Sequence, residues 1–195
     1  MPILEDVKSF AERLTGLARP KSVAPRARKP HTILLEGDGE TPNNPRLPLI
    51  FYRSPVALAN APDPAAVFEV LFADHGWKPE WRDGIYPYNH FHTGTHEVLG
   101  IARGHARVRL GGEKGRVIEL RAGDVVIHPA GVGHRRLSAS KDLLVVGAYP
   151  REGQYDEPRP NEVDYQKAQQ RIARVAVPNQ DPVYGTKGPL VSIWK

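Results

Sequence analysis

A chain of 195 residues, 40% of them hydrophobic and 25% charged, is long enough to bury a full core and has the balance of an ordinary globular protein. It contains no cysteine, so disulfides, thiolate metal sites and cysteine nucleophiles are excluded, and any metal must be held by nitrogen and oxygen. Part of the formal charge of +5 sits in Arg19, Lys21, Arg26, Arg28 and Lys29, a stretch broken by Pro20, Pro25 and Pro30. Without aromatic interleaving or a recognition-helix pattern it reads as a solvated linker, not a nucleic-acid contact.

The acids Glu5 and Asp6 stand where a secretory signal would carry bases, and no apolar run is long enough to span a bilayer. The expectation is a cytoplasmic chain with no membrane partner. Nineteen prolines and eighteen glycines favour strands and turns over a helical bundle. In chain order, Ile3, Leu4, Val7, Phe10, Ala11, Leu14 and Leu17 fall at helical spacing and predict an amphipathic helix over 3–18. Thr32 to Leu35 and Leu47 to Tyr52 read as strands, with a short helix from Ala65 to Ala73.

The densest strand territory runs from His90 to Tyr149. His105 to Leu110 alternates polar with apolar, the cluster Gly111 to Gly115 turns the chain, and Val117 to Leu120 returns. Val125 to His128 and Leu143 to Tyr149 are further strands, separated by turns at Ala122 to Asp124 and Pro129 to Gly133. Many short strands at close spacing mean an all-β sandwich or barrel. Beyond Pro150 a helix is expected near Val163 to Ala173, and Leu190, Val191, Ile193 and Trp194 predict a terminus that docks on the barrel. The domain reading is therefore 1–30 helix and linker, 31–150 barrel, 151–195 C-terminal extension.

His90-Phe91-His92 is the first feature that carries chemistry. Residues i and i+2 of a strand share a face, so this pair aims two imidazoles at one point. Glu97 has the opposite parity, and a break at Thr93-Gly94-Thr95 is needed to return its carboxylate to the same interior. His134, after a strand and a Pro/Gly turn, supplies the third imidazole. Three imidazoles and one carboxylate suit one divalent transition metal: Fe, Mn, Ni, Co or Zn. His96 is expected on the other face from Glu97, in a supporting or surface role, and His128 as a buried, hydrogen-bonded histidine. Arg82, Tyr86, Tyr88, Arg135 and Arg136 flank the ligands, and each taken singly reads as solvent-facing. His31, His75 and His105 have no visible partner.

Gly84, His90, His92, Glu97 and Gly104 stand at the spacing of the first cupin motif, and Gly123, Pro129, Gly131 and His134 at that of the second. The chain resembles the cupin superfamily in nine positions across two patterns. Ser138 departs from it, standing where the second motif has asparagine. The run His90 to Gly104, the Pro-Ala-Gly-Val-Gly-His stretch and the ending Asp181-Pro182-Val183-Tyr184-Gly185 are similar, more narrowly, to the bacterial YjlB-like cupins.

This resemblance implies a double-stranded β-helix, or jelly-roll barrel, with metal held by His90, His92, Glu97 and His134, and a homodimer. The four glycines are read as backbone devices. A 2+ ion with one carboxylate keeps a net positive charge and two open positions, which suits a small anionic or enolate-like substrate. Dioxygenase-like oxidation of a small organic acid or enediol leads, with isomerase or lyase chemistry and non-catalytic binding as alternatives. No catalytic residue beyond the ligands is assigned.

Overall fold

The structure, a computed structural model, describes residues 24–59 and 61–195; the helix expected over 3–18 lies outside the described residues. Among the described residues there are nine strands: β1 His31–Ile33, β2 Leu49–Tyr52, β3 Trp77–Asp83, β4 Glu97–Arg103, β5 His105–Leu110, β6 Arg116–Arg121, β7 Val125–His128, β8 His134–Ala139 and β9 Leu144–Pro150. The same residues form three helices: α1 Pro64–Asp74, α2 Tyr165–Ile172 and α3 Pro189–Ile193. The strands form two sheets, in the orders β1-β2-β7-β4-β9-β3 and β6-β5-β8, with every pairing antiparallel. A single bridge between His90 and His134 continues the small sheet past β8. The sets β3-β9-β4-β7 and His90-β8-β5-β6 give the strand order of a jelly roll, the expected cupin architecture.

Why the two sheets differ in sequence follows from what covers them. The large sheet is buried on both faces. Leu49, Phe51, Leu99, Ile101, Val126 and Val145 point into the barrel, while Ile50, Tyr52, Val98, Val125, Ile127 and Val146 pack under α1 and the C-terminal residues Val183, Leu190 and Trp194. Its strands therefore read as continuous apolar runs such as Leu-Ile-Phe-Tyr and Val-Val-Ile-His. In the small sheet β5 buries alternate residues only, because its other face meets water. Among the described residues no helix is long and apolar enough to cross a membrane.

Strand β3 was not legible from the sequence. It carries Pro79 and shows no apolar alternation, and it is an edge strand paired with β9, its register shifting between Pro79 and Trp81. An edge with a bulge is where a proline can sit in a sheet, since its missing N–H costs no ladder bond. β8 is likewise hidden, because His134 follows a turn and Arg135-Arg136 give no apolar alternation. The expected linker lies partly against the barrel: Arg26 N–H donates to Pro55 O at 2.8 Å, and Arg28 Nε donates to Ser54 O at 3.3 Å.

Gly147 illustrates how packing constrains the interior. It pairs with Trp81 across β3 and β9, and a Cβ there would overlap the indole ring. Gly147→Ala is expected to lower stability by about 1–3 kcal/mol through overpacking, although alanine at an unobstructed strand position stabilises relative to glycine. Urea denaturation measures the sign: a stabilised variant would show that the indole moves aside freely.

Candidate metal centre

The two sheets contribute different ligands to one point. His90 sits on the small-sheet side through its bridge to His134, with His134 N–H to His90 O at 2.9 Å and His90 N–H to His134 O at 3.3 Å. His134 opens β8. After His92 the chain bends at Thr93-Gly94 and crosses to the large sheet, where Glu97 opens β4. The parity difference between His92 and Glu97 is resolved by this change of sheet: Glu97 shares the inward face of β4 with Leu99 and Ile101. All four residues are buried, at 4% exposure or less.

Second partners set the imidazole tautomers. The Nδ1 of His90 faces Tyr88 O at 3.4 Å, that of His134 faces Val132 O at 3.2 Å, and that of His92 is bonded to Asp156 O. A carbonyl only accepts, so each Nδ1 carries the hydrogen and each Nε2 is left for the interior. One ring nitrogen of each of the three lies within 4.8 Å of the others. His92 Nε2 lies 3.5 Å from Glu97 Oε1, and His134 Nε2 lies 3.2 Å from Glu97 Oε2. These are charge contacts without hydrogen-bond alignment, since His92 Nε2 and Glu97 Oε2 both lack a hydrogen-bond partner. Buried polar atoms without partners are costly, and a cation among them satisfies all at once. The donor set fits a divalent transition ion.

Protonation within the cluster is uneven. Burial pushes the His90 imidazole down to about 3, with His134 adding to the effect, so His90 is neutral and ready to ligate. Burial would raise the Glu97 carboxyl, but His92 and His134 outweigh it and hold the group well below the usual carboxylate range. Burial would lower His92, yet Glu97 beside it prevails and raises it. Binding of an ion therefore competes with protonation of His92. Below the raised His92 value, apparent metal affinity should rise about tenfold per pH unit and level off above it. Calorimetric titration in buffers of different ionisation enthalpy reads the released proton; a flat profile from pH 5 to 8 would contradict it.

His90, His92, Glu97 and His134 line the buried end of a cavity of about 250 Å³, whose walls include Trp81, Ile85, Leu99 and Tyr149. Its outer end carries Asp83, Tyr86, Tyr155 and Glu157, with Tyr86 and Tyr155 exposed.

Over 167 residues, 86% of the chain, the sequence is 40% identical to the uncharacterised protein YjlB of Bacillus subtilis, of which 98% is covered. This chain belongs to the YjlB-like cupins. No family model matches it. Among solved structures, acireductone dioxygenase from Bacillus anthracis with a cadmium ion in its active centre matches at a TM-score of 0.39 and 20% identity, over 54% of this chain and 80% of that one. A Bacillus subtilis oxalate decarboxylase matches at 0.36 and 16%, over 73% of this chain and 34% of that one. Both likenesses are distant.

Several residues of this YjlB-like site were beyond sequence reasoning. Tyr149 donates to Glu97 Oε1 at 2.9 Å and accepts from Trp81 Nε1 at 2.8 Å, which orients the carboxylate. Its position with Val145 and Gly147 on the inward parity of β9 was a usable signal. Asp156 braces the His92 loop: its carboxylate accepts from Thr93 N–H at 2.7 Å and Gly94 N–H at 3.2 Å, and its carbonyl holds His92. It lies in a loop past the last strand, where no periodicity points to it. Tyr149→Phe is expected to weaken metal binding about 10- to 100-fold, as loss of an outer partner of a ligand does. Competition with a chromogenic chelator measures it, and an unchanged affinity would show that Glu97 needs no such brace.

Three expectations, those for His128, His96 and Gly84, are corrected. His128 is buried but not hydrogen-bonded; both ring nitrogens lack partners, its ring stacks on His134 at 4.5 Å, and Nδ1 lies 3.9 Å from Glu97 Oε2. It pairs with Glu97 across β4 and β7 and so faces the same interior. His96 is neither a surface residue nor a support of the ligands: it is buried, accepts from Ala130 N–H at 2.9 Å and packs on Trp194. Gly84 has no positive φ, and no atom lies within 4 Å of the place a Cβ would take, so it is an open stretch of cavity wall and not a turn device, unlike Gly104, Gly123 and Gly131. Tyr86 lines the cavity, whereas Arg82 pairs with Glu69 and Asp63, and Arg135 with Glu113.

Proposed function

We propose that His90, His92, Glu97 and His134 hold one divalent transition metal, and that the chain is a metal-dependent oxidoreductase acting on a small organic acid or enediol. The observation that carries this reading is that one ring nitrogen each of His90, His92 and His134 lies within 4.8 Å of the others, with the Glu97 carboxylate 3.5 Å from His92 and 3.2 Å from His134, at the buried end of a small cavity. A bound ion would supply Lewis-acid activation of a chelating substrate and, if redox-active, a route for electrons to dioxygen. The protein's part is to exclude water with Trp81, Ile85 and Leu99, and to hold Glu97 ionised and oriented through Tyr149. The positive charge of the loaded site favours an anionic donor group at the metal end of the substrate. A homodimer and a cytoplasmic location belong to the same reading, on the family resemblance and the lack of cysteine.

One observation favours non-redox isomerase or lyase chemistry as the second reading. The Tyr149 hydroxyl, 2.9 Å from Glu97 Oε1, places an O–H group inside the cavity beside the proposed ligands. Elemental analysis of protein from metal-replete cells tests the first claim: one transition ion per chain is expected, and none would overturn it. An oxygen-electrode screen of small organic acids and enediols tests the second, since turnover that persists without oxygen would assign the non-redox reading.

A further inference from the structure

The outer end of the cavity has a charge that the metal reading does not require. Asp83 and Glu157 line it, together with Tyr86 and Tyr155, and among the described residues no lysine or arginine side chain does. Three arginines that flank the proposed ligands in sequence are turned away from it. Arg82 is held by Glu69 at 2.6 Å and Asp63 at 2.8 Å, and Arg135 is held by Glu113 at 2.9 Å. Arg136 meets this region through its backbone, whose N–H donates to Tyr86 O at 2.8 Å, and its side chain is not part of the lining.

The tyrosines add a second, independent element. Tyr86 and Tyr88 stack at 4.8 Å with an interplanar angle of 16°, and the Tyr88 hydroxyl donates to Glu157 at 3.3 Å. The guanidinium of Arg159 lies 3.8 Å over the Tyr88 ring, so this wall already holds one cation against an aromatic face. Aromatic faces beside carboxylates attract ammonium and guanidinium groups through both the ring quadrupole and the charge. The field of the carboxylates is felt at Tyr86, whose phenol is raised by Glu157 foremost, although the side chain is exposed.

We propose that this mouth receives a cationic group, so that the ligand is a small molecule with oxygen donors at its metal-binding end and an ammonium at the other. The inference rests on the metal-binding reading above and adds the polarity of the substrate: an anionic or enolate head meets the ion, and a positive tail meets Asp83, Glu157 and the tyrosines. A dianionic acid would have to place its second carboxylate beside Asp83 and Glu157, with the nearest guanidinium, that of Arg159, turned onto the Tyr88 ring and outside the lining.

The test uses the full chain loaded with Co(II) and three hydroxamates that share one chelating head: β-alanine hydroxamate, butyrohydroxamate and succinomonohydroxamate, whose tails are ammonium, methyl and carboxylate. Dissociation constants come from the visible cobalt bands. The ammonium probe is expected to bind about tenfold tighter than the carboxylate probe at low ionic strength, with a gap that shrinks as salt is added. Glu157→Gln and, separately, Asp83→Asn should each narrow the gap without lowering cobalt stoichiometry. The second variant guards against the loss of the Tyr88 and Tyr155 contacts to Glu157. Equal or tighter binding of the carboxylate probe overturns the proposal, and loss of that preference in Arg136→Gln would assign the mouth to anions. If cobalt fails to bind stoichiometrically, the metal reading fails and this one falls with it; if cobalt binds and the order is reversed, only the polarity is wrong.

Discussion

Replacing His134 with alanine is expected to abolish stoichiometric uptake of a divalent transition metal, whereas His105→Ala should leave one ion per chain. His134 is the residue on which both candidate ligand groups depend, since it belongs with His90 and His92 and also with Glu97 and His128. Its Nε2 is 3.2 Å from Glu97 Oε2, and its ring packs on His90 at 4.1 Å and on His128 at 4.5 Å. Deleting the imidazole removes a ligand and opens a void beside an ionised, buried carboxylate. His105 begins β5 with an exposed side chain on the solvent face of the small sheet, so its loss touches none of this. The measurement is elemental analysis with a thermal melt. For the parent, metal at 100 times its dissociation constant should add about 2.7 kcal/mol, and His134→Ala should show no metal-dependent shift. Retention of one tightly bound ion would mean that His128, 3.9 Å from Glu97, can replace His134.

A loss of stability on the order of 4 kcal/mol is expected from Asp181→Ala, far from the cavity. Asp181 is fully buried and accepts from the Tyr52 hydroxyl at 2.5 Å and from the backbone N–H groups of Val183 at 2.8 Å, Tyr184 at 3.1 Å and Leu190 at 3.1 Å. Each buried donor left without a partner costs about 1–3 kcal/mol, and water entering the vacated space recovers part of the sum. The carboxylate ties the segment that carries Leu190 and Trp194 to β2, so its removal should loosen the packing over the outer face of the large sheet. For a chain of this length the effect corresponds to a fall in Tm of roughly 8–16 °C. Tyr52→Phe, which removes one donor and leaves three, should cost about 1 kcal/mol. If Asp181→Ala melts within 2 °C of the parent, roughly the size of a surface effect, the clamp is not a source of stability.

How much of the site could be read in advance depended on whether its members are near in sequence or carry a periodicity. His90 and His92 are two residues apart, and His134 follows a recognisable turn, so the cluster they form was legible. Glu97 was legible as a member of that cluster but not in its route, because the break at Thr93-Gly94 changes sheets. The loop residues that brace the cluster were not legible. Asp156 and Tyr155 lie in a loop past β9, and only folding brings that loop against His92. His128 read as an ordinary buried histidine, since satisfaction of a polar atom is a property of its surroundings, which the chain order does not reveal.

The sequence by itself determined the architecture and the kinds of side chain available to a metal. Short apolar strands punctuated by glycine and proline have no other way to bury themselves than in facing sheets, and without cysteine the only ligands are imidazoles and carboxylates. What the tertiary structure decided was the state of those ligands and the character of the space in front of them. Tautomers depend on which carbonyl each Nδ1 meets, the His92 proton on its distance from Glu97, and the charge of the mouth on where the arginines spend theirs. Arg82 and Arg135 stand beside the ligands in sequence yet face Glu69, Asp63 and Glu113, which leaves Asp83 and Glu157 at the entrance. Electrostatic interaction falls with distance through space, and that distance exists only in the folded chain.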